Sequence, residues 1–263
     1  MVSGIIRLAS FFKVIPASRH DSDRREKELS QNGLLAGLAR SKYKLALGFL
    51  LAAASLLAVI LEKIHARVNG KDLYDNLVFN LALAWIPLLA AALAYLTRRN
   101  RITFFLVMPF CTLLWLIFFP NAPYLLTDFQ HLAFSRGGAP LWFDVIVMIW
   151  FAWIGLILGV TSLYLMHEIV AEVLNPLMGW AFALSATVLS SIGVYLGRFL
   201  RWNSWDLLYD PIPIMRDMAA IVRHPIANLP TYVFTALFTL LFLFIYLSIH
   251  LFSGMIQERA RRQ

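Results

Sequence analysis

Six stretches of the chain run apolar without a single charge: residues 45–61, 77–96, 102–119, 145–166, 177–197 and 231–252. None contains Asp, Glu, Lys or Arg, and they measure 17 to 22 residues. A hydrocarbon core about 30 Å thick is crossed by about 20 residues of helix. Lipid offers no partner for backbone N–H and C=O groups, so each span must satisfy its own, as an α-helix does. The pattern predicts an all-α fold: a polytopic membrane helix bundle of six transmembrane helices, with short interfacial helices between them. Residues 1–44 read as a polar N-terminal extension, 45–252 as the membrane domain and 253–263 as a basic tail.

Between the spans the pattern changes. In residues 3–15, Ile5, Leu8, Phe12 and Ile15 recur at helical spacing with Arg7 and Lys13 among them, which predicts an amphipathic helix in the membrane plane. The charges interrupt the apolar stretch that a signal peptide would need. Residues 19–30 read as a solvated linker and residues 62–76 as a polar loop. Ile214, Met218, Ile221 and Val222 share one side of residues 214–223, an interfacial helix ended by His224-Pro225. Gly155 and Gly159, and Gly193 and Gly197, are small residues four apart that admit a neighbouring helix backbone. The helices that carry them run in opposite directions, so the two pairs are expected at different depths against different neighbours. Either pair could also face a membrane-protein partner or a second copy of the chain.

Composition agrees with lipid contact: 60% of residues are hydrophobic and 14% charged, against about 25% charged in a soluble domain. The net charge of +8 does not call for nucleic acid, because topology accounts for it. With a cytoplasmic N-terminus and alternating helices, the cytoplasmic face holds 15 Lys and Arg against 7 acids, and the other face 8 of each. That is the positive-inside bias. Arg98, Arg99 and Arg101 then turn between spans on the cytoplasmic side, Arg259, Arg261 and Arg262 mark a cytoplasmic C-terminus, and the basic face suits anionic lipid. Cys111 is the lone cysteine, so no intrachain disulfide is available.

Candidate chemistry gathers on the opposite face, in two segments. After the third span, Pro120 and Pro123 stop one helix and start another. On it Tyr124, Asp128 and His131 follow i, i+4, i+7 spacing, with Asn121 before them and Thr127 beside. A carboxylate next to a histidine fixes its tautomer and raises its basicity, which makes His131 and Asp128 the candidate catalytic pair. After the fifth span, Arg198 and Arg201 lie three apart, followed by Asn203, Ser204 and Asp206. Paired guanidinium forks suit phosphate or carboxylate. With Asp144 at the start of the fourth span, the candidate binding set for an anionic headgroup or substrate is Arg198, Arg201, Asn203, Asp206, Asp144, Asn121 and Tyr124.

Three arrangements fit these residues. Asp128, Asp144 and Asp206 could pair with Arg198, Arg201 and Arg136 as a structural network. The set could hold an anion, with His131 as acid or base. Asp128, His131 and Asp144 or Asp206 could ligate a divalent metal, although no cofactor is required. His167-Glu168 lacks the second His of a zinc-protease helix. His167 and His250, near the inner ends of two spans, are a possible haem pair. Ser190 and Ser191 would need His250 as a base from the far side of the membrane. Transport needs a polar path, for which Asn80 and Thr161 are the available residues.

The run FFPNAPYLLTDFQHL, with GRFLRWNSWD downstream, resembles the bacterial integral membrane family catalogued as domain of unknown function 1361. The resemblance covers roughly residues 45–252. It implies a bacterial plasma membrane location and supplies no catalytic assignment.

Overall fold

The structure is a computed structural model that describes residue 42 and residues 45–68, 75–98, 100–134 and 138–262. The amphipathic segment and linker expected before residue 42 lie outside these. The chain divides into Met1–Ala52 and Ala53–Gln263. Of the first unit, residue 42 and the helical residues 45–52 are described; the second holds everything discussed below.

In chain order the helices are α1 (Leu45–Val68), α2 (Asp75–Thr97), α3 (Arg101–Phe118), α4 (Asn121–Tyr124), α5 (Leu141–Val173), α6 (Pro176–Phe199), α7 (Asp206–Tyr209), α8 (Pro211–Arg223) and α9 (Leu229–Arg262). A 3₁₀ segment, Leu125–Phe134, joins α4 to α5, and no strand occurs among the described residues. Six of these helical stretches, those containing α1, α2, α3, α5, α6 and α9, are long and apolar enough to cross a membrane. Their starts follow local rules. Asn100 caps α3, its side chain accepting from the N–H groups of Ile102 and Thr103 at 3.1 and 3.3 Å. Asn175 accepts from Met178 N–H at 2.9 Å, and Pro176 opens α6 where its missing N–H is no loss. The expected interfacial helix is present as α8, which starts three residues early at Pro211 and stops at Arg223.

α5 is the central helix. Of its apolar window 61% is buried, against 28% for the stretch containing α3 and 22% for α9. α2 packs on α3 and α5, α5 on α6, and α6 on α9. Trp115, Phe119, Leu163, Met166, Phe242 and Tyr246 fill the core. Phe105, Leu106, Leu240 and Phe244 stand exposed on outward faces, as side chains do where lipid takes the place of a core. Because the spans alternate, one end of the bundle gathers the end of α1, the starts of α2, α5 and α9, and α4, α7 and α8. The opposite end carries Arg98, His167 and His250.

Three expectations are corrected. Residues 62–76 do not open with a loop, because α1 continues to Val68 and buries Glu62 and His65 completely. Ala58, Glu62 and His65 stand i, i+4, i+7, so the buried face carries straight on through the first charged residues. His65 Nε2 meets Asp144 Oδ1 at 2.5 Å, and its ring stacks on Phe143 with centroids 6.0 Å apart. Second, the helix begun near Pro123 is α-helical only to Tyr124 and then tightens to 3₁₀. At three residues per turn, side chains align at i and i+3, which brings Thr127 rather than Asp128 over Tyr124. Third, the two glycine pairs serve one neighbour, not two. A Cβ on Gly155 would stand 2.5 Å from the Ala122 carbonyl oxygen, and one on Gly193 2.6 Å from Pro120 Cγ. At Gly159 and Gly197 the nearest atoms would be Ala122 Cβ at 3.3 Å and Tyr124 Cε2 at 3.2 Å. Residues 120–125 are thus a wedge driven between α5 and α6, and the four glycines make room for its backbone.

Candidate functional site

The wedge carries the first candidate segment into contact with the second. Arg198, in the last turn of α6, is the joint. Its Nη2 donates to Asp128 Oδ1, its Nε donates to Thr127 Oγ1 at 2.8 Å, and its guanidinium lies 4.2 Å from the centre of the Tyr124 ring. Thr127 Oγ1 in turn donates to the Tyr124 carbonyl at 2.7 Å. The Arg198 and Asp128 side chains are only 5% and 3% exposed. A buried charge of either sign is tolerable here because the other is beside it. Asn121 makes the second joint, donating from Nδ2 to the Phe118 carbonyl at 2.9 Å and to Ser204 Oγ at 2.8 Å.

Beyond α6 the chain turns sharply. Arg201 has φ 63°, in the left-handed region, where a helix end usually places glycine. Trp202 N–H then bonds the Leu196 carbonyl at 3.2 Å. Asp206 Oδ2 accepts from Asn203 N–H at 2.7 Å and from Asn203 Nδ2 at 3.1 Å, which closes the turn into α7. Trp202 Nε1 donates to Asp217 Oδ2 at 2.9 Å and ties the turn to α8.

Together these elements wall a cavity of about 610 Å³. Asn76, Phe79 and Asn80 line it from α2, Asn121 and Tyr124 from the wedge, and Asp128 and Gln130 from the 3₁₀ segment. Arg198, Arg201, Asn203 and Trp205 close it from the end of α6 and the turn beyond. With Asp128 and Arg198 neutralising each other, Arg201 supplies the net charge of this wall. It is exposed and has no hydrogen-bond or ionic partner among the described residues.

Of the sequence-predicted set, Asn121, Tyr124, Asp128, Arg198, Arg201 and Asn203 come together here. Asp206 is absorbed in the turn. Asp144 is outside the lining and bound to His65. His131 has its backbone on the 3₁₀ segment; its side chain, and Arg136 altogether, lie outside the described residues. Four polar lining residues were absent from that set: Asn76, Asn80, Gln130 and Ser204. Asn76 and Asn80 stand i, i+4 with Phe79 between them, a polar stripe at the start of a span that was legible as one helix face.

At the opposite end, His167 and His250 stack with centroids 6.0 Å apart and rings inclined by 17°. His167 Nδ1 and the Tyr246 hydroxyl share a hydrogen bond of 2.6 Å, and Tyr164 O–H donates to Glu168 Oε1 at 2.7 Å. Among the described residues, no three or more His, Cys, Asp or Glu converge as metal ligands. Ser191 Oγ donates to the Thr187 carbonyl at 2.9 Å and accepts from Thr239 Oγ1 at 2.9 Å. His250 lies instead beside His167 and Trp180.

An all-helical bundle with six membrane-length apolar stretches and a polar cavity at one end defines a multi-pass membrane protein. Residues 79–246 match the family described as protein of unknown function, DUF1361, and the chain belongs to that family. The match is narrower than the 45–252 expected and leaves α1 outside. No curated protein and no solved structure matches the chain.

Proposed function

We propose that this is a bacterial plasma-membrane protein with both termini cytoplasmic, whose polar cavity opens on the non-cytoplasmic side and binds an anionic headgroup or substrate. Arg201 is the observation that carries the reading. A non-glycine residue in the left-handed region costs about 1–2 kcal/mol, and glycine there would avoid that. The chain instead keeps a guanidinium at φ 63°, unpaired among the described residues, on the wall of a 610 Å³ cavity. Strain of this kind is worth keeping where the side chain has work to do. Arg201 is the anion fork; Asn203 and Tyr124 are neutral partners beside it, while Asn121, both of whose N–H groups donate within the protein, holds the wall in place.

Binding is better supported than catalysis. Asp128 is engaged by Arg198, and a carboxylate held in a buried ion pair is a weak orienter for His131. The Asp128–Arg198 pair itself favours the structural reading for that half of the set: it pins the wedge to α6.

The test is Arg201→Gly. Relief of strain should leave the thermal midpoint unchanged or raise it by a few degrees, while binding of inorganic phosphate or of an anionic lipid is lost. Undiminished anion binding by a well-folded Arg201→Gly protein would sink the reading.

A further inference from the structure

We propose that the anion taken by this cavity is rich in hydroxyls: a phosphorylated sugar or polyol, its phosphate on Arg201. This rests on the anion-site reading above and names the ligand's class.

A site for a bare anion needs cationic and N–H donors. This wall offers carboxamides from four separate segments: Asn76 and Asn80 on α2, Asn121 on the wedge, Gln130 on the 3₁₀ segment and Asn203 beyond α6. A carboxamide carries donors and an acceptor side by side, and so does a hydroxyl group. The side chains of Asn76, Asn80 and Gln130 have no hydrogen-bond partner among the described residues, so their capacity is left for something that enters. Asn80 matters most. It is half-buried within a span whose other residues from Leu77 to Leu96 are largely apolar, and an apolar residue there would be easier to insert. Trp205 and Phe79 meet edge to face at 5.5 Å and 68°, which presents one apolar platform for the C–H face of a ring.

Other ligand classes fit less well. Rings at 68° cannot sandwich a flat nucleobase. An amine headgroup would need a carboxylate, and the Asp128 carboxylate on the wall is engaged by Arg198. The volume of about 610 Å³ lies within the range of about 300–1,000 Å³ typical of small-molecule sites.

The experiment uses the full chain in phosphatidylcholine nanodiscs and follows tryptophan fluorescence, since Trp202 and Trp205 line the cavity. The soluble arm compares glucose 6-phosphate with inorganic phosphate. The lipid arm compares phosphatidylinositol with phosphatidic acid. In at least one arm the hydroxyl-bearing probe should bind about tenfold tighter, the equivalent of one or two hydrogen bonds. Asn80→Leu, or Gln130→Ala should that variant fold poorly, should erase most of this preference and leave affinity for the hydroxyl-free probe intact. Preference in the soluble arm alone identifies a free sugar phosphate as the source; preference in the lipid arm alone identifies a lipid headgroup. Equal affinity within both arms, unaltered by either variant, overturns the hydroxyl inference and leaves the anion site standing. Should no phosphate probe bind the unmodified protein, both fall.

Discussion

Arg198 and Arg201 stand three residues apart and meet opposite fates. The first is buried against Asp128, Thr127 and the Tyr124 ring; the second is exposed, strained and unpaired among the described residues. Their variants should separate accordingly. Arg198→Ala leaves the Asp128 charge buried without its guanidinium, a change that typically destabilises by about 3–5 kcal/mol. Thermal unfolding in detergent should show a large fall in midpoint, with partial recovery in the double variant Arg198→Leu/Asp128→Leu, which removes both charges. If Arg198→Ala unfolds at the same temperature as the unmodified protein, the pair is not what pins the wedge. The sequence shows both arginines as equals. Spacing says only that two guanidiniums can point the same way; which one finds an acid depends on where the 3₁₀ segment that carries Asp128 arrives.

At the scale of elements, the wedge is the feature on which the cavity depends. Ala122, Pro123 and Leu125 are buried between α5 and α6, and glycine is the residue that lets a backbone come this close. Gly155→Ala would place a Cβ 2.5 Å from the Ala122 carbonyl, and Gly193→Ala one 2.6 Å from Pro120. Overpacking of this kind costs about 1–3 kcal/mol, and here it would also push Asn121 and Tyr124 out of place. Both variants should lower the thermal midpoint and weaken anion binding together. Gly254→Ala is the contrast. Nothing lies within 4 Å of its Cβ position, and alanine suits a helix interior better by about 0.5–1 kcal/mol, so stability should hold or rise with binding unchanged. A Gly155→Ala protein indistinguishable from Gly254→Ala would mean the wedge is loosely seated. The periodic glycines were plain in the sequence, and reading them as packing was sound. Their common neighbour was not, because opposite helix directions suggested different depths, and α5 and α6 reach unequal distances past the wedge.

For the whole molecule, the reading stands on orientation. If the Arg98 end is cytoplasmic, the orientation proposed from the distribution of Lys and Arg, Arg201 and Asn203 face outward. In a Cys111→Ala background, Arg201→Cys or Asn203→Cys should react with a membrane-impermeant maleimide on intact cells. Lys63 and Glu172, at opposite ends of α1 and α5, supply controls: Lys63→Cys should label alongside them, and Glu172→Cys only after permeabilisation. The reverse pattern would turn the cavity toward the cytosol and remove the outer-face reading. α5 and α9, at 33 and 34 residues, exceed what a core of about 30 Å needs. Their ends therefore extend past the hydrocarbon, where labelling reagents reach them.

The six spans were legible because bilayer thickness and the need to satisfy every backbone polar group act on each segment alone; neither asks what lies next door. Asn100 and Asn175 as caps, and the amphipathic α8, are local in the same sense. What tertiary structure decided was every question about partners. α1 looked finished at Glu62 because a charge ends an apolar run, yet Glu62 and His65 are covered by neighbours and His65 meets Asp144. Spacing offered Asp128 a companion three residues away in His131, but nothing local announced Arg198, seventy residues on, which engages its Oδ1. Lipid dictates a helix from composition, but it is indifferent to which polar groups meet inside the bundle, and that is settled only when the helices pack.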